Sequence, residues 1–553
     1  MSLKEWWDAA GHHPVILCFM LAFIPILEFL TLTGRMPSRP KPPKLREKIP
    51  FVSNTIDYLT NVGAFNDKVA HRLESTGSNI VKFYVGFIPV YIVTGTKNVQ
   101  MVLNTPHLLD GNFIQLVLME KHWDMTKEEI KKFANDRSGR SKVPAREAKY
   151  TPEDKRYWLG HDRLYVEYLS NKKYADSLAE LFHLRFSESL DGQLSLIGNG
   201  APIELFALLK KTMAESAIIA LFGSQIIDLN PGFIDCYWRF DDIAGTLAWG
   251  LPRLFQRKAM AIRDELHIMT ERHINSAWDH HDKVGIDPEA NWEPHFGSRL
   301  SRETAKWLRK GGFSNHAAAG HTLATLFGLN GNTVPITAWA MIELIKDPSL
   351  FAAIREEILT VSELSPSGDC RFDTDALTKL PLLQSLYIEI MRMHVSFNAT
   401  RKALSRFQIG GCWIEKGALV QTCSQIAHFE EGVWGNEGHP ASEFWAWRHV
   451  SFSEDETDTA GETPRKAKFV MKARPSSFFP YGGGYVTCPG RHFAKQEILL
   501  AIATLVSKYN IEFVEWMNSD GSPSPNPPRD DRSFAGFIAM HPDKDVRVRL
   551  SKR

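Results

Sequence analysis

The sequence predicts a mainly α fold with small β-sheets. Four long segments repeat apolar side chains with the 3.6-residue period of a helix, whereas one early segment alternates with the two-residue period of a strand. The chain has 553 residues and 44% are hydrophobic, so it can bury a large core. It carries 65 Lys and Arg against 64 Asp and Glu, and this balance argues against a nucleic-acid binder, which needs a basic excess.

The first element along the chain is an apolar run from Val15 to Leu32, close to the ~20 residues that a helix needs to cross a bilayer. Pro25 and Glu28 weaken this pattern. A secretory signal and a buried helix are the alternatives, and no small-residue cleavage site supports the signal. We therefore expect a membrane anchor over residues 1–34, with the basic side chains that follow it on the cytoplasmic side.

A basic, proline-rich segment at residues 35–50 comes next. Proline cannot continue a helix, so this segment is expected to be a stiff hinge between the anchor and the rest of the chain. The remaining residues, 51–553, contain no internal repeat and no Gly/Ser linker. Their length alone favours three or four domains.

The body begins with strand-like alternation from Val81 to Gly95, which predicts a hairpin turning near Gly86 to Pro89, and with a short helix at Lys97 to Leu103. Two polar stretches, 127–156 and 453–468, have loop composition and are expected on the surface. The long helical patterns cover Glu204 to Gly223, Arg257 to His281, His316 to Pro348 and Leu382 to His394.

One cysteine stands in an unusual context. The six cysteines show no C-x-x-C spacing, which argues against a zinc site or a disulfide framework. Cys488 follows three glycines, Gly482 to Gly484, and precedes Pro489, Gly490 and a helical pattern. Glycines let backbone approach a flat ligand, and a helix N-terminus stabilises a thiolate, so this loop suits an iron ligand. A buried structural cysteine and a phosphate loop are the alternatives, and the phosphate loop lacks its Lys-Ser/Thr.

These residues carry a family resemblance. The loop resembles the haem-binding loop of the cytochrome P450 superfamily. That loop contains, in this order, an aromatic residue, a glycine, the cysteine, a second glycine and an alanine. The matching residues here are Tyr481, Gly484, Cys488, Gly490 and Ala494. Upstream, Glu389 and Arg392 are similar to the family's E-x-x-R helix. Arg448 matches the arginine that completes this pair; residues three apart share a helix face, and buried charges need a further partner.

The resemblance covers the chain after the anchor and implies one haem-thiolate catalytic domain at 51–553. It implies a haem cofactor with Cys488 as axial ligand and iron-bound residue, with Gly484 and Gly490 shaping the loop. It also implies a microsomal monooxygenase in the endoplasmic reticulum membrane, with its catalytic domain in the cytosol. The partners implied are an NADPH-dependent cytochrome reductase, cytochrome b5 as an additional electron donor, O₂ and a lipophilic substrate.

The central helix departs from the family pattern. The family usually carries an acid and a threonine there to relay protons to dioxygen, and this chain has Gly331 at the acid position, followed by Asn332, Thr333 and Pro335. This pattern is similar to the branch of sterol 7- and 12-hydroxylases and prostacyclin synthase. Thr333 offers a hydroxyl and Asn332 can hold a water, so both are candidate catalytic residues. The alternative is that Asn332 and Pro335 only shape a helix distortion.

Further contacts follow from the same resemblance. Arg401 is similar to an arginine that binds a haem propionate, and His161 or Arg163 can replace a second one. The pocket is expected to be apolar, which favours a lipophilic substrate. The chain also resembles the fungal members of the family that act in secondary metabolism, which implies a terpenoid, polyketide or alkaloid substrate. A haem-thiolate isomerase or dehydratase and a non-catalytic haem- or lipid-binding membrane protein remain alternatives. The residues expected in the pocket are Phe327, Val395, Phe397 and Phe534.

Overall fold

The computed structural model describes residues 41–198, 200–248, 250–364, 370–452, 467–471 and 473–553. The predicted anchor at 1–34 lies outside these residues, as do the first residues of the predicted hinge at 35–50. Within the described part of the chain, none of the helices combines the length and the apolar character that crossing a membrane requires.

Helices make up most of the described chain, as the sequence predicts. They are α1 (Ser53–Thr60), α2 (Val62–Thr76), α3 (Thr96–Asn104), α4 (Asn112–Lys121), α5 (Lys127–Asn135), α6 (Tyr157–Ser170), α7 (Lys172–Ile197), α8 (Leu205–Phe222), α9 (Gln225–Asp228), α10 (Phe233–Ala248), α11 (Arg257–Val284), α12 (Arg299–Lys310), α13 (Asn315–Lys346), α14 (Pro348–Leu359), α15 (Thr374–Leu377), α16 (Pro381–His394), α17 (Ser424–Ala427), α18 (Glu431–Trp434) and α19 (Arg491–Lys508). All four long helical patterns are confirmed.

The strands are short and form small sheets. They are β1 (Ile80–Val85), β2 (Ile88–Val93), β3 (Leu109–Asp110), β4 (Pro202–Glu204), β5 (Trp292–Glu293), β6 (Gly297–Ser298), β7 (Ser362–Leu364), β8 (Cys370–Phe372), β9 (Asn398–Ala403), β10 (Phe407–Ile409), β11 (Cys412–Ile414), β12 (Leu419–Cys423), β13 (Val450–Phe452), β14 (Ala467–Phe469), β15 (Tyr509–Met517), β16 (Pro523–Ser524) and β17 (Asp545–Lys552).

Two sheets frame the helical body. The larger has the order β1-β2-β12-β9-β3, with β12 parallel to β2 and the other neighbours antiparallel. The second has the order β16-β15-β17-β4. The predicted hairpin is confirmed: Ile80 pairs with Val93, and Gly86 in the turn has a φ of 57°, a left-handed conformation that favours glycine.

Helix α13 runs through the largest hydrophobic cluster. It packs against α8, α11 and α19 and is buried along most of its length, because its sequence is apolar on nearly every face. Ser314 caps its N-terminus by accepting a hydrogen bond from Ala317 N. The helix continues through Pro335, whose missing N–H leaves the carbonyl of Gly331 without its helical partner.

The prediction that residues 127–156 form a surface loop holds only in part: most of residues 136–155 are exposed and form neither α-helix nor strand, but the two ends of the stretch differ. Residues 127–135 are helix α5, whose N-terminus has a reciprocal capping box between Thr126 and Glu129. Arg156 is buried, and its guanidinium donates to the carbonyls of Ser141 and Lys142. Composition missed this segment because its buried charges are satisfied by hydrogen bonds that only the folded chain supplies.

Candidate functional site

The loop before α19 brings Cys488 to the centre of the molecule. Its backbone N–H donates to the Tyr481 carbonyl at 3.0 Å. Gly484 has a φ of 67°, and a Cβ added there would lie 1.8 Å from the Leu103 carbonyl oxygen. No other residue fits this position, because both the backbone angle and the space exclude a side chain.

Two opposing effects act on the Cys488 thiol. Burial raises its pKa, while hydrogen bonds from the backbone of Gly490 and Arg491 and the positive charge of Arg491 lower it. These amides belong to the first turn of α19, where helix N–H groups have no partner within the helix. The loop therefore points donors at the sulfur and favours its anionic form once a cation faces it.

A cavity of about 530 Å³ opens on this sulfur. Its walls come from the cysteine loop, α6, α13 and the segment that follows α16. The sequence-predicted residues that line it are Cys488, Gly484, Gly490, Asn332, Thr333, Val395, Phe397 and His161. The lining is largely apolar, and its polar side chains include Arg140, Asp162 and Asn332. Such a cavity suits a flat, apolar ligand with a few polar groups at its edge.

Two phenylalanines expected in the pocket are absent from its lining. Phe327 lies on a different face of α13 from the cavity-lining residues 324–325, 328–329 and 332–333, and it packs against Phe240 with ring centroids 6.2 Å apart. Phe534 stacks on His541 at 3.8 Å. Phe537, three residues further on, lines the cavity instead.

Of the three basic residues predicted to contact the cofactor, one lines the cavity and two do not. His161 lines the cavity, whereas Arg163 is exposed and pairs with Glu153, because the two side chains leave α6 in different directions. Arg401 is buried but lies outside the lining. Its guanidinium sits 5.6 Å from the ring centroid of Tyr485, and its Nε has no hydrogen-bond partner among the described residues.

Arg140 lines the cavity and was missed by the sequence reasoning. Its Nε donates to Asn112 Oδ1 at 3.0 Å, and its terminal nitrogens donate to Asp162 and Gln115. The guanidinium also lies 4.6 Å from the ring centroid of Trp158. In the sequence, nothing distinguishes Arg140 from the other basic residues of its polar stretch.

On the central helix, Thr333 meets a buried acid. Its Oγ1 lies 2.8 Å from the Leu329 carbonyl and 3.1 Å from Oε1 of Glu497 on α19. Burial raises the pKa of Glu497 well above its usual value, which favours the protonated carboxyl. The neutral carboxyl can donate to Thr333, whose own hydroxyl then donates to Leu329. Asn332 accepts from the N–H of Ala539 at 3.1 Å.

The E-x-x-R helix, α16, forms a buried ionic cluster as the sequence predicts. Arg392 donates to Glu389 through Nε at 2.8 Å and Nη2 at 2.7 Å, and Arg448 donates to Glu389 through Nε at 2.9 Å. Burial alone would raise the pKa of Glu389, but the bonds and charges of Arg392 and Arg448 lower it below the usual value. The carboxylate is therefore ionised and paired twice.

The family model for cytochrome P450 matches residues 199–526. This chain belongs to the cytochrome P450 family. The P450 is 41% identical to the cytochrome P450 monooxygenase calL of Penicillium decumbens over 93% of both chains. It is 30% identical to the cytochrome P450 monooxygenase fsoE of Humicola fuscoatra, over 63% of this chain and 62% of the other. It is also 24% identical to the cholesterol 7-alpha-monooxygenase of Cricetulus griseus, over 62% and 64%.

The residues of this P450 fit the cofactor of its family. Members of the family bind haem through a cysteine thiolate, and Cys488 is the one cysteine among the described residues that line the cavity. Arg140 lines the cavity, and Arg401 lies behind the cavity-lining Tyr485, close enough to Arg140 for the two charges to interact. Both guanidinium groups are buried, and the Nε of Arg401 has no hydrogen-bond partner among the described residues. Both suit the carboxylates of a haem.

Proposed function

We propose that this P450 monooxygenase inserts one oxygen atom from O₂ into a lipophilic small molecule, with electrons from NADPH delivered by a cytochrome reductase. The observation that carries this proposal is the apolar cavity, which has Cys488 on one wall and Asn332, Thr333 and Phe537 on another. A haem of this family, when bound, supplies an iron centre that activates O₂.

The residues of the chain would then divide the work. Cys488 would hold the haem iron through its thiolate, and the backbone of Gly490 and Arg491 would stabilise the negative charge of the sulfur. Thr333 holds a hydroxyl at the cavity wall, within hydrogen-bond distance of the Glu497 carboxyl, whose pKa is raised by burial. Leu329, Ile336 and Phe537 line the cavity and keep water away from the reacting carbon. Arg140, Arg401 and His161 are our candidates for the haem carboxylates.

A terpenoid, polyketide or alkaloid intermediate is the substrate class we propose. The cavity lining supports a bulky apolar molecule, because most of it is apolar. Two relatives are fungal monooxygenases, and a third is named for action on cholesterol, a polycyclic lipid. Oxidation of such molecules fits natural-product biosynthesis.

A haem-thiolate isomerase or dehydratase is the second candidate. It is favoured by Gly331, which leaves the central helix without an acidic side chain at the position before Asn332. Rearrangement of an oxygenated substrate needs neither external electrons nor proton delivery to O₂. Membership in a family of monooxygenases argues against the third alternative, a non-catalytic haem- or lipid-binding protein.

We also propose the membrane arrangement that the sequence predicts. Residues 1–34 would anchor the chain in the endoplasmic reticulum membrane, 35–50 would serve as the hinge and 51–553 would form the cytosolic catalytic domain. This places the domain beside a membrane-bound reductase, with cytochrome b5 as a further donor. The apolar run and the basic residues after it support this arrangement.

Expression with and without a reductase tests the proposed function. The full chain, Cys488→Ser and the control Cys370→Ser, whose cysteine lies in strand β8 away from the cavity, are produced in a fungal host and their metabolites compared. We expect a product that gains one oxygen from ¹⁸O₂, requires NADPH and is lost with Cys488→Ser alone. A product formed without O₂ or reductant would favour the isomerase instead.

A further inference from the structure

A carboxylate from another helix occupies the space beside Gly331. A Cβ added to Gly331 would lie 2.5 Å from Oδ1 of Asp241, a residue of α10. Real Cβ contacts are not this short, so a side chain at 331 would require the Asp241 carboxyl to leave its position. The central helix lacks its own acid at the point where α10 supplies one.

Asp241 is fully buried and poorly paired. The hydroxyl of Tyr237 donates to its Oδ1 at 3.4 Å, and Nε2 of His541 lies 3.3 Å from its Oδ2. Within the described residues, neither Oδ2 nor Nε2 has a hydrogen bond of good geometry. Burial, aided by the nearby charge of Asp242, raises the pKa of Asp241 to about 7, although Lys210 and Tyr237 act in the opposite direction. The carboxyl therefore exchanges a proton near neutral pH.

The cluster lies directly behind one wall of the cavity. Gly331 precedes Asn332 and Thr333, which both line the cavity. The segment 537–541 connects the cavity wall with the Asp241 cluster. Phe537 lines the cavity, the N–H of Ala539 donates to Asn332, and His541 lies beside Asp241. The backbone of Gly331 also acts on the pKa of His541 and raises it, against the larger lowering by burial, and the Gly331 carbonyl has no helical partner because of Pro335.

On its other side the cluster approaches solvent. Asp242, the next residue of α10, is exposed, and Lys210 of α8 acts electrostatically on both aspartates. Asp531 acts on Asp242 in addition. The three groups Asp241, Asp242 and His541 are close enough to suggest a cation site, but the positive charge of Lys210 disfavours one. Glu497, in contrast, is enclosed between α13 and α19.

Monooxygenation must bring protons into this apolar cavity. For each O₂, two electrons and two protons are consumed as one oxygen atom enters the substrate and the other leaves as water. We propose that Asp241 supplies the proton-carrying carboxyl that the central helix lacks at Gly331. Its O–H bond breaks, the proton moves past Gly331 towards Asn332 and Thr333, the electron pair stays on the carboxylate, and a proton from solvent on the Asp242 side restores the acid.

Proton delivery determines how reduced O₂ leaves the site, which gives a test that needs no substrate. With two electrons and two protons, O₂ leaves as hydrogen peroxide; with four of each, it leaves as two waters. The holoenzyme with reductase and NADPH is followed for O₂ and peroxide across pH. We expect the ratio of peroxide to water to rise in the native protein as pH passes about 7. In Asp241→Asn the ratio of peroxide to water should be about 10-fold higher than in the native protein at low pH, and it should not change with pH.

Moving the acid separates proton delivery from packing. In the double variant Asp241→Ala with Gly331→Asp, the space that Asp241 leaves accepts a carboxyl on the central helix itself. We expect this variant to recover the low peroxide ratio and its pH dependence. The matched variant Asp241→Ala with Gly331→Asn fills the same space without a titrating proton and should stay at the level of Asp241→Asn. Equal ratios in the two double variants would overturn the proposal.

A second readout is independent of turnover. Because the pKa of Asp241 is raised on folding, its contribution to stability is fully present below about pH 4 and is lost as pH rises through about 7. The melting temperature of the holoenzyme should therefore fall as pH rises over this range, and the fall should be smaller in Asp241→Asn than in the native protein. An identical pH dependence in the two proteins would contradict the proposal. The proposal rests on O₂ activation, so absence of the thiolate spectrum of the carbon monoxide complex in native protein would refute the proposed function instead.

Discussion

Arg140 and Arg163 have different surroundings, and only Arg163 was predicted from the sequence to contact the haem. Arg140 turns its guanidinium into the cavity, where Asp162, Gln115 and the ring of Trp158 hold it in place. Arg163 is exposed and pairs with Glu153 across solvent. A buried guanidinium with an open edge is a better partner for a carboxylate than a solvated one, because no water competes for its donors.

We expect Arg140→Gln to lower haem retention several-fold and Arg163→Gln to leave it unchanged. The glutamine keeps a hydrogen-bond donor near Asp162 but loses the charge that a haem carboxylate needs. Haem content per chain, measured as the haem absorbance of purified protein after gel filtration, checks this. Equal haem loss in both variants would show that Arg140 serves only to hold α6 through Asp162.

Helix α16 is held in place by a buried cluster of three charged side chains. Glu389 and Arg392 are buried on one face of the helix, and Arg448 from a later segment completes the pairing. The guanidinium of Arg392 also donates to the carbonyls of His428 and Ala441 at 2.9 and 2.6 Å. One helix thereby fixes the loops that surround the cysteine segment, because its charges have no solvent to pair with.

Removing one charge from this cluster should be costly. Glu389→Gln leaves two buried guanidinium groups without a carboxylate, and we expect it to lower the free energy of unfolding by about 3–5 kcal/mol. The control Glu415→Gln breaks an exposed pair with Arg406 and should cost less than about 1 kcal/mol. Urea denaturation of the haem-loaded proteins measures both. Similar losses in the two variants would show that the cluster contributes no more than a surface ion pair.

The elements that follow apolar periodicity were predictable, and those held by polar contacts were not. The long patterns of α8, α11, α13 and α16 match the structure to within a few residues at each end, because burial of an apolar face determines them. Helix α5 and the buried Arg156 were missed, since their stability comes from a capping box and from carbonyl acceptors. The site divides in the same way: Cys488 was predicted from its glycine loop and Thr333 from the family resemblance, whereas Asp241 reaches Gly331 only through the packing of α10 against α13.

The molecule as a whole buries several histidines in their neutral form. Burial lowers the pKa of His122 and His267 to about 4 and that of His273, His428 and His541 to about 3, and it lowers that of His321 well below the usual value. These groups are spread from α4 to the segment before β17. His267 and His541 face the carboxylates of Glu271 and Asp241, but protonation of the others places an unpaired charge in the core, so acid should weaken the fold in several places at once.

His273 of α11 offers the clearest test of this acid sensitivity, because neither ring nitrogen has a hydrogen-bond partner among the described residues. A histidine whose pKa is lowered on folding stabilises the protein fully above its unfolded pKa of about 6.5, and this contribution is lost as pH falls towards about 3. Between about pH 7.5 and about pH 5 the native protein should therefore lose about 2 kcal/mol more than His273→Leu.

The exposed His107 gives the matched control, since its replacement by leucine removes a histidine that solvent already surrounds. Urea denaturation of the haem-loaded proteins at both pH values measures the loss. We expect His107→Leu to follow the native protein and His273→Leu to lose less. If all three proteins lose stability in parallel, the acid sensitivity resides in groups other than His273, and the neutral buried state inferred for this residue is wrong.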